Sequence, residues 1–90
     1  MAKLRIKANP SAFEARSLEI RPEGVRFVQT AFVGGRHDMS FAEIDSVLMS
    51  PSHVLAFHAK GRVFSIPTKP EKESDQAVVQ ALLDGVRRSR

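Results

Sequence analysis

The hydrophobic pattern of the chain changes its period once, near residue 68. Before that point apolar and polar side chains alternate in short runs, a period of two that is typical of β-strands with one buried face. After it, apolar residues recur at helical spacing. We therefore predict one mainly β domain over residues 1–90, with strands over about residues 3–67 and a helix over about residues 71–88.

Seven strand segments are expected, separated by turn residues. They are residues 1–8, 17–21, 25–33, 36–41, 46–50, 54–59 and 62–67. The turns between them are predicted at Asn9-Pro10-Ser11, Pro22-Glu23-Gly24, Gly34-Gly35, Pro51-Ser52 and Lys60-Gly61. In the second of these turns Pro presets the first corner, and Gly24 accepts the positive φ that can follow it. The segment 13–15 has no clear assignment, and 25–33 is either covered on both faces or bent across a barrel corner.

The apolar stripe of the helix is clear, but the sequence offers two positions at which the helix could begin. The stripe consists of Val78, Val79, Leu82, Leu83 and Val86. Either Thr68-Lys69-Pro70-Glu71 forms a capping box, or Ser74 caps the helix with Asp75 in the first turn. Gly85 lies inside the helix, where glycine costs about 1 kcal/mol relative to Ala.

Seven short strands joined by turns predict an antiparallel sheet that curls into a barrel or splits into two packed sheets. The helix can bury its stripe only by covering that core. Five of the six Phe residues fall in the strand segments, and we assign them to the core: Phe27, Phe32, Phe41, Phe57 and Phe64. A chain of 90 residues has room for one core of this kind.

Three local motifs and the closing helix resemble the pleckstrin-homology-like (PH-like) superfamily, particularly its small bacterial members. The segment 18–25 looks like the early hairpin of that fold, and 41–47 like its aromatic-x-x-Ile-x-x-Val step into the second sheet. Lys60-Gly61-Arg62, followed by Phe64 and Ile66, is the third motif. The resemblance covers residues 1–88 and implies seven strands in two roughly orthogonal antiparallel sheets, with the C-terminal helix at one end.

The resemblance also implies a range of ligands, because members bind phosphoinositide head groups, peptides or other proteins. The phosphoinositide-binding members carry a Lys and then two basic residues two positions apart around the first hairpin loop. This chain departs from that pattern, since Lys7 is followed only by Arg16 and then by Ser17 and Leu18. We therefore do not expect specific inositol-phosphate recognition. The family's helix Trp is also absent here, and Leu82, Leu83 and Val86 are expected to fill its space.

Residues for catalysis or metal binding do not form a recognisable pattern. The chain has no Cys, and its imidazoles are His37, His53 and His58. His53 and His58 are five positions apart, so on one strand they would face opposite ways. His37 and Asp38 would likewise diverge. We expect no catalytic residue, cofactor or metal, and a small enzyme of unknown reaction is kept as the third hypothesis.

The basic charge lies at the two ends of the chain. The net charge is +4, yet residues 8–84 hold eight basic and ten acidic side chains. The candidate contacts for an anionic partner are Lys3, Arg5, Lys7, Arg87 and Arg88. The first three protect an edge strand or contact acidic groups, and the two arginines also complement the helix dipole.

The leading functional hypothesis is a binding module that recognises a protein or peptide, or another copy of itself, through a strand edge or the groove between helix and strand. The alternative is peripheral binding of anionic membrane lipid through the basic ends. Nucleic acid is not expected as a partner, because the body of the chain is not basic. With no Cys, no signal-like segment and no apolar run long enough to cross a membrane, we expect a cytoplasmic protein.

Overall fold

The structure, a computed structural model, describes residues 4–11, 14–30 and 35–89. Within these residues the chain forms the predicted seven β-strands and one α-helix, together with a short 3₁₀ turn that was not predicted. The strands are β1 (Arg5–Ser11), β2 (Glu14–Arg21), β3 (Gly24–Gln29), β4 (Gly35–Ser40), β5 (Ile44–Met49), β6 (Val54–Ala59) and β7 (Arg62–Pro67). The 3₁₀ turn is Phe41–Glu43, and the helix α1 is Glu73–Arg88.

The strands form two antiparallel sheets in chain order. The first sheet has the order β1-β2-β3-β4, and the second has the order β5-β6-β7. The 3₁₀ turn Phe41–Glu43 carries the chain from one sheet to the other, so the segment 41–47 joins the two sheets, which is the place that the resemblance implies for it. Glu43 stabilises this turn by accepting a hydrogen bond from the backbone N–H of Ser40 (2.9 Å).

Three predicted turns are confirmed, and each has a local cause. Lys60 and Gly61 have φ of 56° and 72°, the left-handed pair that a two-residue hairpin loop requires. The Pro51-Ser52 turn is closed by a hydrogen bond from the His53 N–H to the Ser50 carbonyl (2.9 Å), and His53 has a positive φ of 66°. Pro22-Glu23 joins β2 to β3. Gly24 after it has no positive φ, contrary to expectation; it is required because a Cβ there would overlap the Met39 carbonyl oxygen.

Several predicted boundaries in the first sheet are wrong, and one of them is the start of β2, which begins at Glu14 and not at residue 17. β1 continues through Asn9-Pro10-Ser11, where a turn was predicted, and Ser11 pairs with Glu14. The register shifts between Ala8 and Ser11, an irregularity that accommodates a proline without a ladder N–H. β3 ends at Gln29, and Gly35 pairs with it as the first residue of β4. The predicted strand end at 31–33, with Phe32, and Gly34 of the predicted turn lie outside the described residues.

The core lies between the two sheets and the helix. Phe27 of the first sheet meets Phe57 of the second edge to face, with ring centroids 6.2 Å apart, and Phe57 stacks on Phe64 at 5.4 Å. Offset and edge-to-face pairs of this kind are favourable beyond the area that they bury. The fully buried or nearly buried apolar side chains are Ile6, Leu18, Val25, Phe27, Met39, Phe41, Ile44, Leu55, Phe57, Ala59, Phe64, Ile66, Val78, Leu82 and Val86.

The helix begins at Glu73, and neither predicted cap is used. Lys72 is the N-cap residue and makes no side-chain cap bond. Asp75 is instead buried and accepts a hydrogen bond from the backbone N–H of Lys69 (2.9 Å), so it anchors the segment that precedes the helix. Gly85 also has a structural role, because a Cβ there would overlap the ring of Phe41. Phe41 itself belongs to the 3₁₀ turn and not to a strand, although it is buried as predicted.

Candidate binding surfaces

The outer strands of the two sheets are the first candidate surface, because an edge strand presents unpaired backbone groups to solvent. The outer strands are β1 and β4 in the first sheet and β5 and β7 in the second. A side chain from elsewhere in the chain covers part of two of them. Arg16 Nη1 donates to the Ser65 carbonyl of β7 (2.9 Å) and contacts its hydroxyl (3.1 Å). Lys60 Nζ donates to the Asp38 carbonyl of β4 (2.9 Å).

The edge of β1 is partly covered by neighbouring elements. β1 lies against β7 and against α1. Within residues 5–8 of β1 the exposed side chains are the cations Arg5 and Lys7, which discourage pairing with another strand. Of the described outer strands, β1, β4 and β7 are therefore each partly covered by another part of the chain or protected by charged side chains.

The edge of β5 differs from these three. Within the described residues, no side chain forms a hydrogen bond to the backbone of residues 46–49. The stretch carries no charged residue. Leu48 is 65% exposed and Met49 is 42% exposed, so the stretch presents two neighbouring large apolar side chains to solvent. This stretch of β5 is open to pairing with an additional strand.

A groove runs between this edge and the C-terminal half of α1. It has a volume of about 250 Å³ and is lined by Val47, Leu83, Val86 and Arg87; we call it the β5–α1 groove. Leu83 was predicted to fill the core, but it is only partly buried and lies at the wall of this groove. Helical spacing alone could not separate Leu83 from Leu82, because both positions fall on the apolar stripe.

The outer faces of the two sheets differ in charge. In the second sheet the register and the alternation of burial place eight uncharged or imidazole side chains outside: Ser46, Leu48, Val54, Ala56, His58, Val63, Ser65 and Pro67. In the first sheet a row of alternating charge crosses all four strands, in the order Arg5, Glu19, Arg26 and Asp38. Arg26 Nε lies 2.8 Å from Asp38 Oδ1, and this hydrogen bond raises the pKa of Arg26 and lowers that of Asp38.

The predicted cationic ends do not form one patch among the described residues. Arg5 and Lys7 lie beside the N-terminal end of α1, whereas Arg87 lies at its C-terminal end, in the β5–α1 groove. The helix has 16 residues, so its ends are separated by about 24 Å at 1.5 Å per residue. Arg88 is exposed, and its Nε donates to the Asp84 carbonyl (3.3 Å). Lys3 lies outside the described residues.

The structure brings Arg5 and Lys7 together with two lysines that the sequence did not single out. Arg5 and Lys7 line a cleft of about 450 Å³ with Lys72, Ser74 and Asp75. An adjoining hollow of about 420 Å³ shares three of these residues and adds Lys69. We call the two hollows together the β1–α1 cleft. Lys69 and Lys72 precede the helix in a segment whose path depends on how the helix docks.

A third hollow bears on the enzyme hypothesis. It has a volume of about 350 Å³ near the β3–β4 edge, and its ionisable lining residues are Arg21, Glu23, Arg26, Asp38 and Glu43. The Ser40 N–H lowers the pKa of Glu43, and Arg26 lowers that of Asp38. A general acid needs a raised pKa at neutral pH, so these carboxylates are shifted the wrong way for that role.

The described part of the chain offers neither a metal-ligand cluster nor a membrane-spanning helix. No group of three or more His, Asp or Glu side chains there is arranged to hold a metal ion. His37 and Asp38 diverge as predicted, His37 toward the ring of Phe64 (5.1 Å) and Asp38 toward Arg26. Among the described residues, no helix has both the length and the apolar character needed to cross a bilayer.

Comparison with known proteins identified no relative. No family model matches the chain, no curated protein matches it, and no solved structure matches it.

Proposed function

We propose that this protein is a PH-like, non-catalytic binding module that binds an extended segment of another protein as an additional β-strand alongside β5. The observation that carries the proposal is the open edge at residues 46–49, beside the β5–α1 groove. A PH-like fold is supported by the four-strand and three-strand sheets, the step at 41–47 and the C-terminal helix.

An added strand would bind through two kinds of contact. Backbone hydrogen bonds to β5 supply affinity that is independent of the partner's sequence, and pockets for alternate side chains supply selectivity. In the groove, Val47, Leu83 and Val86 offer an apolar wall. Arg87 lies at the same place and offers a cation. The preferred ligand is therefore an extended segment with an apolar side chain and a nearby carboxylate.

The proposal is tested with a peptide selected from a random library against the immobilised protein and then titrated into ¹⁵N-labelled protein. We expect shifts and amide protection to concentrate at residues 46–49 and along the β5–α1 groove. Leu48→Lys should weaken binding at least about tenfold, because a lysine at an edge opposes strand addition. Val63→Lys is the matched control: Val63 is 63% exposed on β7 of the same sheet, and its replacement should change affinity less than about twofold.

Equal losses in Leu48→Lys and Val63→Lys would contradict binding along β5, as would shifts confined to the first sheet. Failure to select any peptide that protects β5 would also count against it. A concentration-dependent dimer with protected β5 amides, abolished by Leu48→Lys, would identify a second copy of the chain as the added strand.

A further inference from the structure

We propose that Met49 is a site of reversible oxidation to methionine sulfoxide, and that this oxidation weakens the addition of a strand along β5. The inference rests on the proposed function, because it assigns a regulation to the same edge. The sequence contains no Cys, Trp or Tyr, and it contains three Met. The thioether sulfurs are therefore the side-chain groups that a peroxide oxidises first.

The two methionines that the structure describes differ in their exposure to solvent. Met39, in β4, belongs to the core and is 4% exposed. Met49, the last residue of β5, is 42% exposed. An oxidant must reach the sulfur atom, and a buried sulfur is reached only when the structure opens locally. We therefore expect Met49 to react well before Met39. Met1 lies outside the described residues.

The Met49 side chain lies beside the proposed binding site. Residues directly opposite each other in an antiparallel pair share a face of the sheet, and Met49 is opposite Leu55 as Val47 is opposite Phe57. Met49 therefore shares a face with Val47, which lines the β5–α1 groove. Residues 46–48 carry only hydroxyl and aliphatic side chains, which a peroxide does not oxidise. The response of this open edge to oxidation thus depends on one atom, the Met49 sulfur.

The reaction transfers one oxygen atom from hydrogen peroxide to sulfur. The sulfur attacks one oxygen, the O–O bond breaks as the S–O bond forms, and the departing hydroxide takes the proton of the transferred oxygen and leaves as water. Sulfur is oxidised by two electrons, and the peroxide is reduced by two. The product replaces an apolar side chain with a polar one, and sulfoxide reductases reverse the change. Covering this new oxygen with an added strand costs free energy unless it finds a donor, so the oxidised edge should bind its ligand less tightly.

The first arm of the test measures the oxidation itself. The intact protein is treated with hydrogen peroxide and digested with trypsin, and tandem mass spectrometry locates the added oxygen. Met39 and Met49 fall in the same tryptic peptide, residues 37–60, so fragment ions assign the oxygen to one of them. We expect Met49 to be oxidised at least about tenfold faster than Met39. Equal rates in protein that keeps its circular dichroism spectrum would overturn the site.

The second arm measures binding of a library-selected peptide, chosen without Met or Cys, after the peroxide has been removed. Oxidised protein should bind the peptide at least about fivefold more weakly, and treatment with the reductases for both sulfoxide epimers should restore the affinity. Met49→Leu has no sulfur at this position, so its own affinity should be the same before and after peroxide. Met39→Leu, the matched control, should keep the response of the wild type.

The outcomes separate this inference from the proposed function. Peptide binding along β5 that is equally tight before and after selective oxidation of Met49 would overturn the regulation and leave the proposed function standing. A peroxide effect that persists in Met49→Leu would place the sensitive group elsewhere and would overturn it too. If the unoxidised protein binds no peptide along β5, the proposed function fails, and the regulation fails with it.

Discussion

The two sheets differ in how their surfaces are covered. The first sheet carries alternating charges across its outer face, with Arg26 and Asp38 joined at 2.8 Å, and Lys60 covers part of its β4 edge. In the second sheet eight outward-facing side chains are uncharged or imidazole, the exposed charges on its strands are Asp45 and Arg62, and among the described residues no side chain covers residues 46–49 of β5. Edge strands are normally protected because they template further pairing. Among the described outer strands β5 is the one without such protection, and the proposed partner rests on this difference.

The same contrast applies to the basic residues. Cations over the first sheet and its edge are engaged by carboxylates or backbone carbonyls, as for Arg26 and Lys60. Those in the β1–α1 cleft are not paired within the described residues. Exposed ion pairs of this kind contribute only about 0–1 kcal/mol to stability. Sequence position does not separate the two groups, because Arg5 and Arg26 both lie on strands of the first sheet.

The largest effect is expected from a change that breaks the first sheet. Gly24→Ala places a methyl group against the backbone of Met39 and Ser40 in β4, which cannot move aside as a side chain can. We expect a loss of about 3 kcal/mol in the free energy of unfolding, measured in urea. Gly35→Ala is the control, because a Cβ at Gly35 has open space around it. If both variants unfold at the same urea concentration, β3 and β4 are not packed this closely.

A smaller effect is expected where the first sheet covers an edge of the second. Arg16→Met removes the guanidinium that binds Ser65 and should lower the free energy of unfolding by about 2 kcal/mol, within the range for hydrogen bonds to charged groups. Arg62→Met, at an exposed position of β7, should stay within about 0.5 kcal/mol of the wild type. Indistinguishable stabilities for the two variants would mean that Arg16 does not cover the β7 edge.

The smallest effect concerns pH and the turn that links the sheets. The Ser40 N–H lowers the pKa of Glu43 below its ordinary value of 4.5, with Lys60 adding to the shift. A carboxyl whose pKa is lowered by folding stabilises the folded state above its unfolded pKa, and this stabilisation is lost as pH falls through the folded value. The melting temperature should therefore fall less between about pH 6 and pH 3 in Glu43→Gln than in the wild type. Glu71→Gln, at an exposed position before the helix, is the control; a change equal to that of Glu43→Gln would contradict this assignment.

Much of the architecture could be predicted from the sequence, because its signals are local. The strands β6 and β7 have their predicted bounds, since Pro51-Ser52 and Lys60-Gly61 specify turns whatever surrounds them. The Asn9-Pro10-Ser11 signal failed because β1 pairs with β2 across an irregularity that keeps Pro10 within the strand. The cap predictions failed for a similar reason. Asp75 is used to hold Lys69, a contact that depends on where the helix docks.

By itself the sequence determined the seven strands, the single helix and the basic character of β1, because periodicity and turn chemistry act between near neighbours. Only the tertiary structure decided which cations meet. Arg5 and Lys7 join Lys69 and Lys72, which follow them by more than 60 positions, while Arg87 lies in the groove beside Val47. It also decided which edge stays open, since the donors that cover β4 and β7 come from other hairpins. Contacts of this kind depend on sheet packing and helix docking, which no local pattern encodes.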